Sequence, residues 1–100
     1  MIRHTVLMKF LDPEDRHEAR RLLEGLTTQV PELRSLEVGL DSLGLEGSFH
    51  LALATTHDSA DDLAAYQEHP AHVEFRRWVG PRLAARAAVD VDSDDEVRRP

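Results

Sequence analysis

The order in which the spacing of apolar residues changes restricts the fold of this chain more than any other feature. A strand-like spacing of two residues comes first and a helical spacing follows. Two more strand-like segments, a second helical region and a last apolar segment complete the chain. This pattern predicts the order β-α-β-β-α-β. Four antiparallel strands would then form one sheet, and both helices would cover the same face of it.

The first strand and the first helix have clear signals. Residues 2–11 predict a strand whose alternation places one set on a common face, namely Ile2, His4, Val6, Met8 and Phe10. Asp12 can cap a helix, Pro13 suits its first position, and Pro31 stops it. The helix between them carries one apolar stripe, formed by Ala19, Leu22, Leu23, Leu26 and Val30.

Residues 34–41 and 48–56 predict the two middle strands. In the second of them, alternation separates two sets of side chains. We expect one set to form the open face of the sheet: Phe49, Leu51 and Leu53. We expect the other set to lie under the helices: His50, Ala52 and Ala54.

The second helical region is interrupted. Ser59 can cap its start, with Asp62 three residues later as in a capping box. Pro70 breaks the helix, and a second piece is predicted from about residue 71 to residue 79. Residues 84–91 are ambiguous because alanine favours helix. We predict a strand there, since the sheet otherwise lacks its fourth member.

These elements predict a ferredoxin-like α+β protomer over residues 1–92, with residues 93–100 as a disordered, charged tail. The open sheet face would present apolar side chains, and an exposed apolar face of that size indicates an association surface. Two sheets packed face to face would give a homodimeric α/β barrel. A chain of 100 residues is marginally stable alone and gains from such a partner.

Composition excludes several classes of function. The net charge of −7 opposes binding to nucleic acid, and the absence of a long apolar run argues against a membrane segment or signal peptide. The chain has no cysteine, which suits the cytoplasm. We find no phosphate loop, dinucleotide fingerprint or nucleophile elbow, and therefore expect no cofactor.

The candidate chemistry lies in the histidines and one tyrosine. Because Pro70 interrupts the helix, Tyr66 and His72 can turn toward a common point and form an acid–base pair. His4 and His50 could share a pocket with small alanines. The alternative is structural: the strand histidines would bond to backbone carbonyls in the core, and Tyr66 would be a core residue.

Other polar residues have simpler interpretations. No carboxylate or cysteine pattern completes a metal site around His69 and His72, so we expect no metal. We expect His17 and His57 to face solvent. A basic cluster could bind an anion or pair with Asp61, Asp62 and the acidic tail; it comprises Arg76, Arg77, Arg82 and Arg86.

The segments IRHTVLMKF and FHLALATTHDSADDLAAYQEHPAHVEF, together with the last strand, resemble the stress-responsive A/B-barrel (Dabb) family, and in particular its olivetolic acid cyclase-type members. The resemblance implies a dimeric α/β barrel with a pocket in each subunit. It assigns acid–base roles to His72 and Tyr66, with Asp90 holding His72. It implies that a small molecule would contact His4, His50, Val6, Leu22, Leu23, Leu26, Ala52, Ala54 and Phe75.

Three functions follow as hypotheses. The first is a cofactor-free cyclase, lyase or isomerase acting on a small β-keto or polyketide-like molecule. The second is a non-catalytic, stress-related dimer or ligand-binding module. The third is a different reaction on a similar barrel, such as that of a cofactor-independent oxygenase or a haem-handling protein.

Overall fold

The computed structural model describes residues 1–93, which form one sheet of four antiparallel strands with three helices on one face. The sheet order is β2-β3-β1-β4. This arrangement confirms the predicted ferredoxin-like fold. The elements are β1 (Ile2–Phe10), α1 (Asp15–Gly25), β2 (Ser35–Leu40), β3 (Leu51–His57), α2 (Ala60–Glu68), α3 (Pro70–Val79) and β4 (Leu83–Asp92).

The core lies between the sheet and the helices. From β1 it receives His4, Val6, Met8 and Phe10, as alternation predicted. The helices contribute buried apolar side chains that include Ala19, Leu23, Leu63, Tyr66, Phe75 and Val79. No helix within residues 1–93 is long and apolar enough to cross a membrane.

The predicted orientation of β3 is wrong. Leu53 pairs with Val6 and Leu51 pairs with Met8, and directly opposed residues share a face, so both leucines lie under the helices. Ala52 and Ala54 therefore point to the open face. Alternation separates the two sets but does not say which set is inside, and the leucines bury more apolar area there than alanines would.

The helix boundaries follow local chemistry. The Ser59 hydroxyl accepts a hydrogen bond from the Asp62 N–H at 3.1 Å and caps α2. His69 has extended backbone angles (φ −61°, ψ 138°) and separates α2 from α3, and its Nδ1 accepts from the Ala71 N–H at 3.1 Å. The predicted break at Pro70 is thus confirmed. α1 is shorter than predicted, because a 3-10 turn, Leu26–Thr28, follows it.

The final strand is confirmed and longer than predicted. Asp92, expected to be loose, pairs with Ile2 in the sheet. The Ser93 N–H then donates to the Met1 carbonyl at 2.9 Å. Most of the predicted tail, residues 94–100, lies outside the described residues.

Candidate functional site

A cavity of about 420 Å³ lies between the sheet and α3, open to solvent on one side. Its polar lining comes from four elements of the fold and consists of His4, Gln67, His72, Arg76 and Arg86. Its apolar lining includes Val6, Met8, Leu23, Leu53, Phe75 and Leu83. An apolar chamber with a few convergent polar groups is the usual form of a small-molecule site.

Tyr66 and His72 meet as the break at Pro70 predicted. Their rings lie edge to face, with centroids 4.7 Å apart. Tyr66 is completely buried, and its hydroxyl has no hydrogen-bond partner within residues 1–93. Burial raises the pKa of this hydroxyl to about 12. Only His72 lines the cavity, so Tyr66 stands behind it rather than beside a ligand.

His72 is uncharged near neutral pH. Burial is the largest cause that lowers its pKa to about 4, and the positive charges of Arg76, of His4 when it is protonated, and of Arg86 act in the same direction. The backbone carbonyl of Gln67 opposes the shift without reversing it. This disagrees with the acid–base role that the resemblance implied for His72, because a histidine with this pKa is a poor base near neutral pH.

Asp90 contacts His4 instead of His72. The two residues are directly opposed on β4 and β1, and a carboxylate oxygen of Asp90 is hydrogen-bonded to Nδ1 of His4. His4 is buried, whereas the Asp90 side chain is 51% exposed. Because an ionised carboxylate only accepts hydrogen bonds, Nδ1 carries the proton and Nε2 is left as the acceptor of the ring. The sequence-based pairing of Asp90 with His72 is therefore wrong.

His57 is a buried structural residue, and the expectation that it faces solvent is wrong. Its Nδ1 donates to the Glu32 carbonyl at 3.0 Å, so its Nε2 accepts from the Thr55 hydroxyl at 2.9 Å. Its ring lies 4.9 Å from that of Tyr66, and burial lowers its pKa. Had Leu51 and Leu53 been assigned to the helix-covered face of β3, His57 would have been predicted as buried too, since it continues their alternation.

Several residues predicted to contact a small molecule lie away from the cavity. His50 precedes β3, accepts from the Phe10 N–H at 3.0 Å and stacks on that ring. Leu22 and Leu26 line a separate groove between α1 and α3. Ala52 and Ala54 are on the opposite face of the sheet. The cavity does contain five of the predicted residues, namely His4, Val6, Leu23, His72 and Phe75.

The cavity also contains polar residues that we did not assign to it, Gln67, Arg76 and Arg86. A signal for one of them was present, because Arg86 and Asp90 share a face of β4 by alternation. Arg76 follows His72 by one helical turn and lies on the same side of α3. Within the part of the chain that the structure describes, no three histidine or acidic side chains are placed to hold a metal ion.

Comparison with known proteins agrees with this fold. The model of the stress responsive A/B barrel domain family matches residues 2–93. The chain belongs to this family. A stress-response A/B barrel domain-containing protein of Arabidopsis thaliana is 33% identical over 76 residues, which cover 73% of this chain and 68% of that protein.

Two solved structures place this A/B barrel domain among its neighbours in fold. A dimeric ferredoxin-like protein of unknown function from Thermobifida fusca has a TM-score of 0.79 and 30% identity, covering 90% of this chain and 88% of that one. A hydroxynitrile lyase from Passiflora edulis has a TM-score of 0.80 and covers 97% of this chain and 96% of its own. Its 19% identity shows a shared fold alone.

Proposed function

We propose that this A/B barrel domain is a cofactor-free enzyme that performs acid–base chemistry beside a carbonyl group of a small molecule, as a lyase, isomerase or cyclase. The observation that carries the proposal is the position of His4, which lines an open, largely apolar cavity and is hydrogen-bonded to Asp90. A carboxylate that fixes one nitrogen of a histidine leaves the other available to accept a proton.

In this proposal His4 is the base. Nε2 of His4 takes a proton from the carbon next to the carbonyl group, and the electron pair of that C–H bond moves onto the carbonyl oxygen to form an enolate. Asp90 stabilises the imidazolium that results. The imidazolium gives a proton back when the enolate collapses to product, and this proton can exchange with solvent in between. No external oxidant or reductant is consumed.

His72 would act as a neutral hydrogen-bond partner. With a pKa of about 4 it is a poor proton acceptor at pH 7. Its Nδ1 has no hydrogen-bond partner among residues 1–93, so the ring can adopt the tautomer whose single N–H donates to the enolate oxygen. Tyr66 would hold the plane of the His72 ring through their edge-to-face contact. These roles differ from those that the family resemblance implied, in which His72 was the base and Tyr66 donated directly.

The fold of this family is compatible with lyase chemistry, since the Passiflora edulis neighbour is named a hydroxynitrile lyase. The narrower resemblance to olivetolic acid cyclase-type members supports a β-keto substrate and remains a prediction. The non-catalytic binding module is the competing hypothesis.

The test is hydrogen–deuterium exchange at C2 of a β-keto thioester, followed by NMR against the rate in buffer. His4→Gln and Asp90→Asn should each lower the enzymatic rate by about a hundredfold or more. His17→Gln is the matched control, because its side chain is 57% exposed and remote from the cavity. Wild-type exchange no faster than that of His4→Gln would favour the non-catalytic module.

We further propose that the domain is a homodimer through its open sheet face, as the Thermobifida fusca neighbour is described as dimeric. The corrected orientation of β3 changes the residues of this face, because Leu51 and Leu53 are buried under the helices. The exposed apolar residues on it are Leu7 and Val89, surrounded by alanines of β3 and β4. Small side chains around two larger ones suit close sheet packing.

A further inference from the structure

Two arginines line the cavity without a carboxylate partner among the described residues, 1–93. Arg76 and Arg86 make no ion pair within residues 1–93, whereas Arg77 on the same helix is 3.4 Å from Glu74 and Arg34 forms a bidentate pair with Asp58. The expected pairing of the basic cluster with Asp61 and Asp62 is not found among these residues.

The two guanidinium groups approach the cavity from opposite layers. Arg86 projects from β4 on the helix-covered face, opposite Met8, and Arg76 projects from α3. Both guanidinium groups lie close enough to His72 for their positive charges to lower its pKa. The wall between them is apolar, with Leu83 and Phe75 among its members.

We propose that the cavity binds a small organic carboxylate, with the anionic group between Arg76 and Arg86 and the carbon chain against the apolar wall. A guanidinium group matches a carboxylate in shape and can bond to both of its oxygens. The net charge of −7 disfavours a polyanion such as a nucleotide, so one carboxylate suits the site better than several phosphates.

This inference narrows the substrate of the proposed enzyme to β-keto compounds that carry a free carboxylate, in preference to neutral ones, and in that respect it rests on the proposed function. The β-keto thioester assay tests the chemistry without this contact. Binding itself does not require turnover. An anion held by the two arginines would fix the distance between its carboxylate and the carbon from which His4 removes a proton. Positioning of this kind is a large source of catalytic rate.

The experiment measures binding of hexanoate and of hexanamide to the full-length protein by NMR chemical-shift titration at pH 7.5 and low salt. The two probes have the same shape and differ in charge, and neither undergoes the proposed reaction. We expect hexanoate to bind about tenfold more tightly than hexanamide. Arg76→Gln and Arg86→Gln should each remove most of this difference, and added salt should weaken hexanoate binding alone.

Arg77→Gln is the matched control, since Arg77 is adjacent in sequence but pairs with Glu74. Equal binding of the two probes, or equal losses in all three variants, would overturn the proposal. A protein truncated after residue 93 tests the chain's own acidic tail as the occupant. Hexanoate binding that appears only after truncation would overturn the small-molecule assignment. Because neither probe reacts, failure of catalysis and failure of binding are separable.

Discussion

Tyr66 lies edge-on against His72 with ring centroids 4.7 Å apart, yet only His72 reaches the cavity. The tyrosine ring also contacts His57, whose hydrogen bonds run to Glu32 and Thr55. Tyr66 therefore connects the cavity wall to a buried structural histidine. Its contribution should come mainly from its ring and not from its hydroxyl.

Tyr66→Phe should leave the fold intact and slow the reaction by less than about tenfold. The substitution removes a buried hydroxyl that has no hydrogen-bond partner among the described residues, so little stabilisation is lost with it. Thermal melting and the exchange rate of the β-keto thioester measure the two effects. Tyr66→Leu, which removes the aromatic ring as well, is the comparison that should lower both. A hundredfold rate loss in Tyr66→Phe alone would instead give the hydroxyl a direct role.

The protein should lose stability between about pH 6.5 and pH 4. The pKa of His72 is about 4 in the fold against an ordinary 6.5, so the unfolded state binds a proton first as the pH falls. The contribution of neutral His72 to the free energy of unfolding is complete above pH 6.5. It decreases toward pH 4, by up to about 3 kcal/mol. The charged groups that act on His72 are His4 from β1, Arg76 from α3 and Arg86 from β4.

Denaturant unfolding at pH 7 and pH 4.5 measures this effect. The difference between the two pH values should be smaller in His72→Gln than in the wild type, by about 2 kcal/mol. His17→Gln removes an exposed histidine and should leave the difference unchanged. Identical pH dependence in the wild type and His72→Gln would show that His72 retains an ordinary pKa in the fold.

Leu7→Glu should convert the dimer to a monomer or cause aggregation. Leu7 lies in the centre of the open sheet face and is 38% exposed in a single chain. A buried carboxylate at a packed interface is costly, because it loses its hydration without gaining a partner. Light scattering measures the mass of each variant. Leu11→Glu is the control, since Leu11 follows β1, lies outside the sheet and is 70% exposed. A wild-type protein that is monomeric at micromolar concentration would contradict the proposed interface.

Removal of residues 94–100 should change the melting temperature by less than about 4 °C, which corresponds to less than about 1 kcal/mol for a domain of this size. The segment is rich in acidic residues and has no apolar periodicity. The cut leaves in place the hydrogen bond between Ser93 and the Met1 carbonyl. A larger decrease in melting temperature would mean that the tail packs on the domain.

Much of the fold could be predicted because each element carries its own local signal. The Ser59 cap and the break at Pro70 depend on neighbouring residues alone. The order in which strand-like and helical spacings of apolar residues follow each other predicts the order of the elements. The orientation of β3 was not accessible in this way. Alternation is symmetric between the two faces, and only the register of Leu53 opposite Val6 decides which face is inside.

The site was predicted less completely for a related reason. The contact between Tyr66 and His72 is local and follows from a broken helix. The contact between His4 and Asp90 joins residues 86 positions apart, and it depends on how β1 and β4 align. The spacing of residues within one segment does not show how β1 and β4 align. The Asp90 carboxylate was therefore assigned to His72 instead of His4.

The extended backbone of His69 has a consequence for how this domain can diversify. One residue outside helical geometry makes α2 and α3 two separate bodies, joined at a point where His69 itself caps the second. Substitutions along α3 can therefore reshape the chamber while Leu63 and Tyr66 on α2 keep their places in the core. A change in the cavity-facing residues of α3, such as Arg76, would therefore alter the chamber without requiring α2 to change direction.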